Sequence, residues 1–275
     1  DTEAKVEQKI INRKIIHTIP LHFKVDGKEV FGRPQGMRGS KLEVEALFIT
    51  SLEQHLNDLI GAVEELGIEV EDVMASPLSG SLVTLSKAQK IAGCVLANIG
   101  AETVSIVVFE NGIPVSLKVF PIGGADITND IALGLRISLE EAEQIKHGAI
   151  TSSSFPKKKL DEIVFARLSD IFELIESHLK KLGKNGLLPA GVILTGGGSG
   201  IATIEEYARA SLKLPSRLAD PHISQYSRGQ IKDSTWAVAY GLCIWGLQTE
   251  EDSAGIRLAK KTGGSMLAFL KQFLP

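Results

Sequence analysis

The sequence predicts an α/β protein of two units, and three observations carry that prediction. Segments of β-type residues alternate with segments of helical periodicity. Glycine and Asn-Gly punctuation separates them. A second series of elements opens near Gly93 after a first one has closed. The chain has 275 residues, 44% hydrophobic and 23% charged, enough apolar surface for a sizeable core, so disorder is excluded.

Residues 15–78 read as the first unit. Residues 15–19 and 22–25 are β-like, with Asp26-Gly27 as a turn after the second. Residues 42–49 open with strict alternation, as a half-buried strand does. Ser51 with Gln54 has the form of a capping box. The helix it starts carries an apolar face of Leu52, His55, Leu56, Leu59, Ile60, Val63 and Leu66, and Gly67 stops it. Residues 68–74 read as a returning strand.

In the second unit, residues 94–97, 105–109 and 115–120 are expected strands. Gly100 marks the first connection, and Asn111-Gly112 marks a hairpin. Helices are expected over 127–135 and 138–147, followed by a polar loop from Thr151. A long helix over 160–182 carries Ile163, Val164, Leu168, Ile171, Phe172 and Ile175 at helical spacing. Residues 192–194 form a short buried-type strand, with a helix over 204–212 and another over 235–245. The polar run 249–264 reads as a flexible linker. Strand, glycine turn, strand, hairpin, strand and helix together form the opening of an RNase-H-like or actin-like lobe.

Charge and composition bound the function. Lys and Arg total 30 against 33 Asp and Glu, a net charge of -3, which argues against a broad nucleic-acid binder. Cys94 and Cys243 lie in apolar runs and read as buried residues in a reducing compartment, and the six histidines show no metal-ligand spacing. No Ser/His/Asp or Cys/His arrangement stands out, so neither a catalytic residue nor a metal site is assigned. No apolar run approaches the roughly 20 residues of a membrane span. The chain begins Asp1-Thr2-Glu3, with neither Met nor signal peptide, and its native N-terminus is expected to be absent.

Four segments invite a chemical reading. The turn Asn98 to Thr103 offers Gly100 and backbone N–H groups to a phosphate, although an ordinary tight turn has the same spacing. Gly196, Gly197, Gly198 and Ser199 follow a strand and precede a helix. Three glycines there suit a close approach of backbone to a ligand, or a flexible loop. Gly123-Gly124-Ala125-Asp126 leads into a helix. Glu143 and Lys146 share a helix face, where a carboxylate can accept from ribose hydroxyls and a lysine stem can cover a base; an isolated pair at this spacing is otherwise a solvated salt bridge. At the other end of the chain Ser265 can cap a short helix. Its residues Met266, Leu267, Phe269, Leu270, Phe273 and Leu274 form one apolar face suited to a membrane interface or a partner's groove, the alternative being a last helix that folds back onto the globule.

Taken in order, these segments resemble the bacterial cell-division FtsA family of actin-like ATPases. Ile15 to Pro20, Val25-Asp26-Gly27, Gly36-Met37 and Leu42 to Ala46 are similar to the family's inserted small α/β subdomain, and Ala75 to Ser81 to its first connecting helix. The resemblance implies a second phosphate loop at Asn98, Gly100 and Thr103, and ribose and adenine contacts at Gly123, Gly124, Glu143 and Lys146. It further implies an adenosine loop at Gly196 to Ser199, a second connecting helix at Ala237 to Gly241, and a membrane-targeting helix at the end. Arg167 matches an arginine implicated in docking the FtsZ tail. The division so implied is residues 1–74 inserted subdomain, 75–92 part of the first lobe, 93–148 second lobe, and 149–190 a shortened helical subdomain. Residues 191–248 complete the second lobe and return to the first, with 249–264 a linker and 265–275 the membrane helix.

Three departures from the family shape the expected function. The N-terminal phosphate-loop segment is missing, so a fragment or truncated form is expected. Asn98 stands where the family has Asp, Ala101 and Glu102 where it has glycines, and Ser105 where a later Asp is usual. An amide carries no charge to hold a Mg²⁺-bound water. Residues 149–159 are shorter than in the family. The expectation is a polymerising membrane tether at the cytoplasmic face of the division site, the septum. It binds ATP and Mg²⁺ with little or no hydrolysis, self-associates into filaments, recruits FtsZ through its C-terminal tail, and binds no nucleic acid. The alternatives are a PilM-like component of a type IV pilus system, or an ATPase or sugar kinase of the same superfamily.

Overall fold

The computed structural model describes residues 2–30, 32, 34–148, 156–220 and 233–256. The chain divides into two compact units, residues 1–75 with 247–275, and residues 76–246.

The first unit is built on an antiparallel sheet of three strands, β1 (Arg13–Val25), β2 (Lys28–Val30) and β3 (Leu42–Leu52), in the order β2-β1-β3, after a short helix α1 (Thr2–Glu7). Asp26 and Gly27 turn the chain at positive φ, 50° and 78°, as the Asp-Gly pair predicts. The Asp26 carboxylate also accepts from the Ser40 hydroxyl at 2.8 Å and the Lys41 N–H at 2.8 Å, so one side chain fixes both the turn and the chain's return. Those bonds, the Ser40 hydroxyl first, hold its carboxyl below the usual carboxylate range. The two β-like segments 15–19 and 22–25 are one strand, with register shifts at Ile15/His17 and Pro20/His22. Pro20 has no N–H to give the ladder, which suits an irregularity there.

Helix α2 (Glu53–Glu64) does not start from the predicted Ser51–Gln54 box. Pairing of Lys14 with Ser51 and Arg13 with Leu52 holds both residues in β3, and Leu52 becomes the N-cap without a side-chain bond. The predicted apolar face of α2 is split. Leu56 is buried and Ile60 and Val63 are half-buried, while Leu52, His55, Leu59 and Leu66 are exposed. Residues 68–74 form no strand, because no strand of the sheet pairs with them.

The second unit holds a five-stranded sheet in the order β6-β5-β4-β7-β8. β4 (Cys94–Ile99), β5 (Val104–Glu110) and β6 (Ile113–Phe120) form an antiparallel meander. β7 (Gly191–Thr195) runs parallel to β4, and β8 (Ser216–Leu218) parallel to β7. Asn111 and Gly112 make the predicted hairpin, at φ 52° and 81°. The sheet is covered on both faces, which is why its central strands are apolar at almost every position. On one face Val95, Ala97, Ile106 and Leu194 pack into a core with α5 (Gly124–Leu135), α6 (Leu139–Lys146), α7 (Lys157–Lys181) and α8 (Ile204–Leu212). The long helix buries Val164, Leu168, Ile171, Phe172 and Ile175, as its spacing predicts, with Ile163 at the margin. On the other face lie α3 (Ser76–Thr84) and α4 (Lys87–Ala92), with Leu96 beneath Gly80 and the Lys90 ammonium 5.2 Å from the centre of the Phe109 ring.

Helix α9 (Ala237–Ile256) passes α3 at small residues. A Cβ on Gly241 would lie 2.0 Å from the Ser79 carbonyl oxygen, and the Ser79 hydroxyl donates to the Val238 carbonyl at 2.7 Å. The helix continues past its predicted end, so residues 249–256, assigned to a linker, are helical; Gln248, Glu250 and Glu251 are good helix formers. Residues 257–264 and the apolar helix predicted over 265–275 lie outside the described residues. Cys94 is buried as predicted, whereas Cys243 is exposed on α9. Among the described residues, no helix is long and apolar enough to cross a membrane.

Candidate functional site

Three connections meet beyond the ends of β4, β6 and β7, on the side where parallel strands of an α/β sheet present ligands. The first leaves β4 at Gly100, whose N–H donates to the Thr103 carbonyl at 2.9 Å. The second leaves β7 at Gly196. Its φ is +89°, and a Cβ there would lie 2.2 Å from the Asn98 side-chain oxygen and 2.6 Å from the Ile99 carbonyl. A Cβ on Gly198 would lie 2.5 Å from Ile99 Cγ2. The glycines are therefore packed against the end of β4 and do not form a flexible loop. The turn tightens into a short helical segment, Gly197–Gly200, and the Ser199 hydroxyl donates back to the Gly196 carbonyl at 2.6 Å.

The third connection is Gly123-Gly124. The Gly124 and Ala125 N–H groups donate to the Gly100 and Ala101 carbonyls, each at 2.8 Å, and the Gly123 N–H donates to Asp126 at 2.8 Å. These bonds start α5 at Gly124, three residues before the predicted Ile127. A Cβ on Gly123 would meet the Ala101 carbonyl oxygen at 2.3 Å. One on Gly124 would stand 3.4 Å from the Gly100 oxygen, 3.5 Å from Lys146 Nζ and 3.8 Å from Gly198 Cα. Gly100, Gly124, Lys146 and Gly198 thus share one small volume.

The Glu143–Lys146 pair is not the solvated bridge its spacing alone suggests. The Lys146 side chain is buried, and its ammonium donates to Glu143 Oε2 at 2.7 Å, Thr128 Oγ1 at 2.9 Å and the Gly124 carbonyl at 3.1 Å. Glu143 stays half-exposed, accepts also from Thr128, and its other oxygen lies 3.0 Å from His147 Nε2. Burial raises the Glu143 carboxyl, but the Lys146 and Thr128 hydrogen bonds, the lysine charge and the His147 bond together hold it below the usual range. Asp126 belongs to the predicted Gly123–Asp126 segment, whereas Thr128 and His147 were not among the predicted site residues. Thr128 could have been found from its place in the first turns of α5; nothing in the sequence singles out His147, which stands 3.9 Å from a Cβ placed on Gly200.

A Cβ on Gly124 would point into the space that Gly100, Lys146 and Gly198 share, whereas one on Gly198 would point at Ile99. The first amides of α5 are already bonded to Gly100 and Ala101, whereas none of the described hydrogen bonds uses the Ala101 or Glu102 N–H at the tip of the Gly100 turn. Glu102 is exposed there. Among the described residues no group of three or more His, Cys, Asp or Glu could hold a metal ion. Arg167 is on α7, away from this cluster in sequence and bonding. Its guanidinium makes a two-pronged contact with Asp130 at 2.7 and 3.1 Å and approaches Asp170 at 3.5 Å.

The family model described as Cell division protein FtsA matches residues 95–241, just over half of the chain and all of the cluster above. The chain belongs to the FtsA family. The model for the SHS2 domain inserted in FTSA matches residues 2–50, in the first unit. Among curated relatives, the chain is 34% identical over 229 residues to Cell division protein FtsA of Bacillus subtilis, covering 76% of this chain and 52% of that protein. It is 28% identical over 269 residues to that of Pseudomonas aeruginosa, covering 90% and 64%. The chain therefore spans about half to two thirds of the length of these FtsA relatives. The actin-like fold is shared with solved structures of low identity. The PilM-PilN type IV pilus biogenesis complex matches with a TM-score of 0.69 at 18% identity, covering 90% of this chain and 71% of that one. MreB5 of Spiroplasma citri bound to ADP matches with 0.59 at 17%, covering 77% and 69%.

Proposed function

We propose that this FtsA-family chain is a nucleotide-binding assembly protein of the division site. It binds ATP with little or no hydrolysis, self-associates into filaments, attaches to the cytoplasmic face of the membrane through helix 265–275, and recruits FtsZ by its C-terminal tail. The observation that carries the nucleotide reading is the convergence of Gly100, Gly124, Gly198 and the buried Lys146 in one cradle. The MreB5 neighbour, solved with ADP, supports it by fold. The Gly100 turn faces the phosphates, Lys146 and Glu143 the nucleoside, and Gly196 to Ser199 closes the other side. Bound Mg²⁺ would supply charge neutralisation at the phosphates, and Asn98, a neutral amide, gives it no anionic support. No residue is assigned a catalytic role. The PilM-like reading rests on fold alone, whereas the FtsA matches include the inserted subdomain.

Calorimetric titration of ATP tests the cradle. Gly124→Ala puts a methyl group into it at ordinary contact distances, so stability should hold while ATP binding weakens about tenfold or more. Unchanged affinity would remove the cradle as the site. Co-sedimentation with anionic vesicles tests the tether. It should be lost on Phe269→Glu, and a variant that pellets like its parent rejects membrane attachment by this helix.

A further inference from the structure

The stretch from Glu53 to Ala75 contains seven carboxylates and no lysine or arginine. On the same stretch Leu59 and Leu66 stand 64% and 77% exposed, and Leu52, at the helix's N-cap, 41%. The three are seven residues apart, which puts them along one stripe of α2 and its flanking residues. Leu56 with Ile60 and Val63, the adjoining part of the same apolar face, is turned inward, so the three leucines form its uncovered outer margin. A single exposed leucine is ordinary, but three in register on a helix with Glu53, Asp58 and Glu64, followed by four more carboxylates, make an apolar strip with a charged margin.

The end of the chain has the complementary chemistry. Residues 257–275 contain Arg257, Lys260, Lys261 and Lys271 and no acidic residue. Met266, Phe269, Leu270 and Phe273 head an apolar face at helical spacing. We propose that residues 265–275 dock as a helix on the Leu52–Leu59–Leu66 strip of α2 in the same chain, with the lysines of the tail against the carboxylates of α2. The charges set encounter and orientation, and burial of the leucines against the aromatic residues holds the contact. Tethering raises the local concentration of the tail to about the millimolar range, so a contact too weak to hold a free peptide is populated in the intact chain. The docked form would use the same apolar face that a bilayer would take, and the acidic α2 is itself repelled by anionic lipid. Docking would therefore store the tail away from membranes. It depends on neither nucleotide binding nor vesicle binding, and it is tested without lipid.

The test uses the full 275-residue chain with a photoreactive benzoylphenylalanine in place of Phe269. Irradiation at low protein concentration, digestion and mass spectrometry then locate the cross-link. The expected product is an intramolecular adduct between positions 52 and 68. Leu59→Glu with Leu66→Glu should lower its yield about tenfold, the factor that corresponds to roughly 1.4 kcal/mol. Both leucines are exposed, so the fold should be unaffected. Reversing the tail charges, Lys260→Glu with Lys261→Glu and Lys271→Glu, should lower the yield without touching the globule at all. Adducts elsewhere in the chain, no adduct, or a yield indifferent to both sets of substitutions overturns the proposal. So does an intermolecular adduct that grows with concentration, which would assign the strip to a second copy.

Discussion

Asn98 and Gly196 meet at the ends of the parallel pair β4 and β7, so closely that a Cβ on Gly196 would lie 2.2 Å from the asparagine side-chain oxygen. The same Cβ would lie 2.6 Å from a backbone carbonyl, and φ there is +89°. Strain and overlap therefore act together: the asparagine side chain could turn aside, but the Ile99 carbonyl is backbone and could not. Gly196→Ala should lower stability by at least about 2 kcal/mol. Gly197→Ala is the control, since the nearest atom to its Cβ would be Thr235 Oγ1 at 3.9 Å. Urea denaturation should separate the two, and equal midpoints would contradict the packed-turn description.

Lys146 supports three acceptors at once, and its removal should be felt at each. Lys146→Met removes the ammonium from the Gly124 carbonyl, which the Thr128 hydroxyl still contacts at 3.1 Å, takes the Thr128 oxygen's donor, and leaves Glu143 without its lysine. A loss of about 2 kcal/mol is expected, short of that for a fully buried pair because Glu143 remains half-exposed and can be rehydrated. Glu143→Gln keeps an acceptor for the ammonium and should cost less, about 1 kcal/mol. If the two variants unfold at the same denaturant concentration, the lysine is not the centre of the network.

Turns and long helices were legible in the sequence because they depend on local chemistry. Asp26-Gly27 and Asn111-Gly112 need positive φ, and the stripe on α7 repeats over many turns. What was hidden depends on partners distant in the chain. Ser51 and Gln54 form a sound capping box on their own, but the β1–β3 ladder holds Ser51 in a strand. Leu59 and Leu66 fit an amphipathic helix, yet helical spacing does not say how wide the opposing surface is. The spacing of Glu143 and Lys146 says that they are neighbours and nothing of Thr128 or the Gly124 carbonyl, which bury the lysine. The glycines of residues 196–198 were legible as a close approach, but their partner, the end of β4, was not.

Arg167 is already engaged within the chain. Its two-pronged contact with Asp130 ties α7 to α5, and the nearby carboxylates, Asp130 first, raise the guanidinium's affinity for its proton. Both side chains are about 30% exposed, so solvent weakens the pair. Arg167→Ala should cost about 1 kcal/mol, and a double-mutant cycle with Asp130→Ala should return a coupling of similar size that shrinks with added salt. An acidic partner peptide must then compete with Asp130 and Asp170, so Asp130→Ala should strengthen binding of such a peptide in fluorescence titrations. Weaker binding by that variant would show that Asp130 positions the arginine and does not compete for it.

His17 gives the first unit a specific acid sensitivity. It is buried, its Nε2 accepts the Ala75 N–H at 3.0 Å, and burial pushes its pKa down to about 4. Only the neutral ring can accept that bond. The unfolded chain, with an ordinary histidine pKa of about 6.5, takes up a proton that the folded chain refuses. Stability from this residue is therefore complete above pH 6.5, falls as pH drops from there, and is fully lost near pH 4. The total is on the order of 3 kcal/mol. The hydrogen-bonded carboxylates Asp26 and Glu143, whose pKa values are also lowered, lose their contribution as pH falls through their own folded pKa values, below the ordinary carboxylate range. Between pH 7 and pH 4.5 His178, whose pKa burial also lowers, contributes as well, so His17 is read from the difference between the parent and His17→Gln. His17→Gln, which can still accept the Ala75 N–H through its amide oxygen, should flatten the dependence in that window while keeping the unit folded. A slope that the substitution leaves unchanged would place the acid-sensitive group elsewhere.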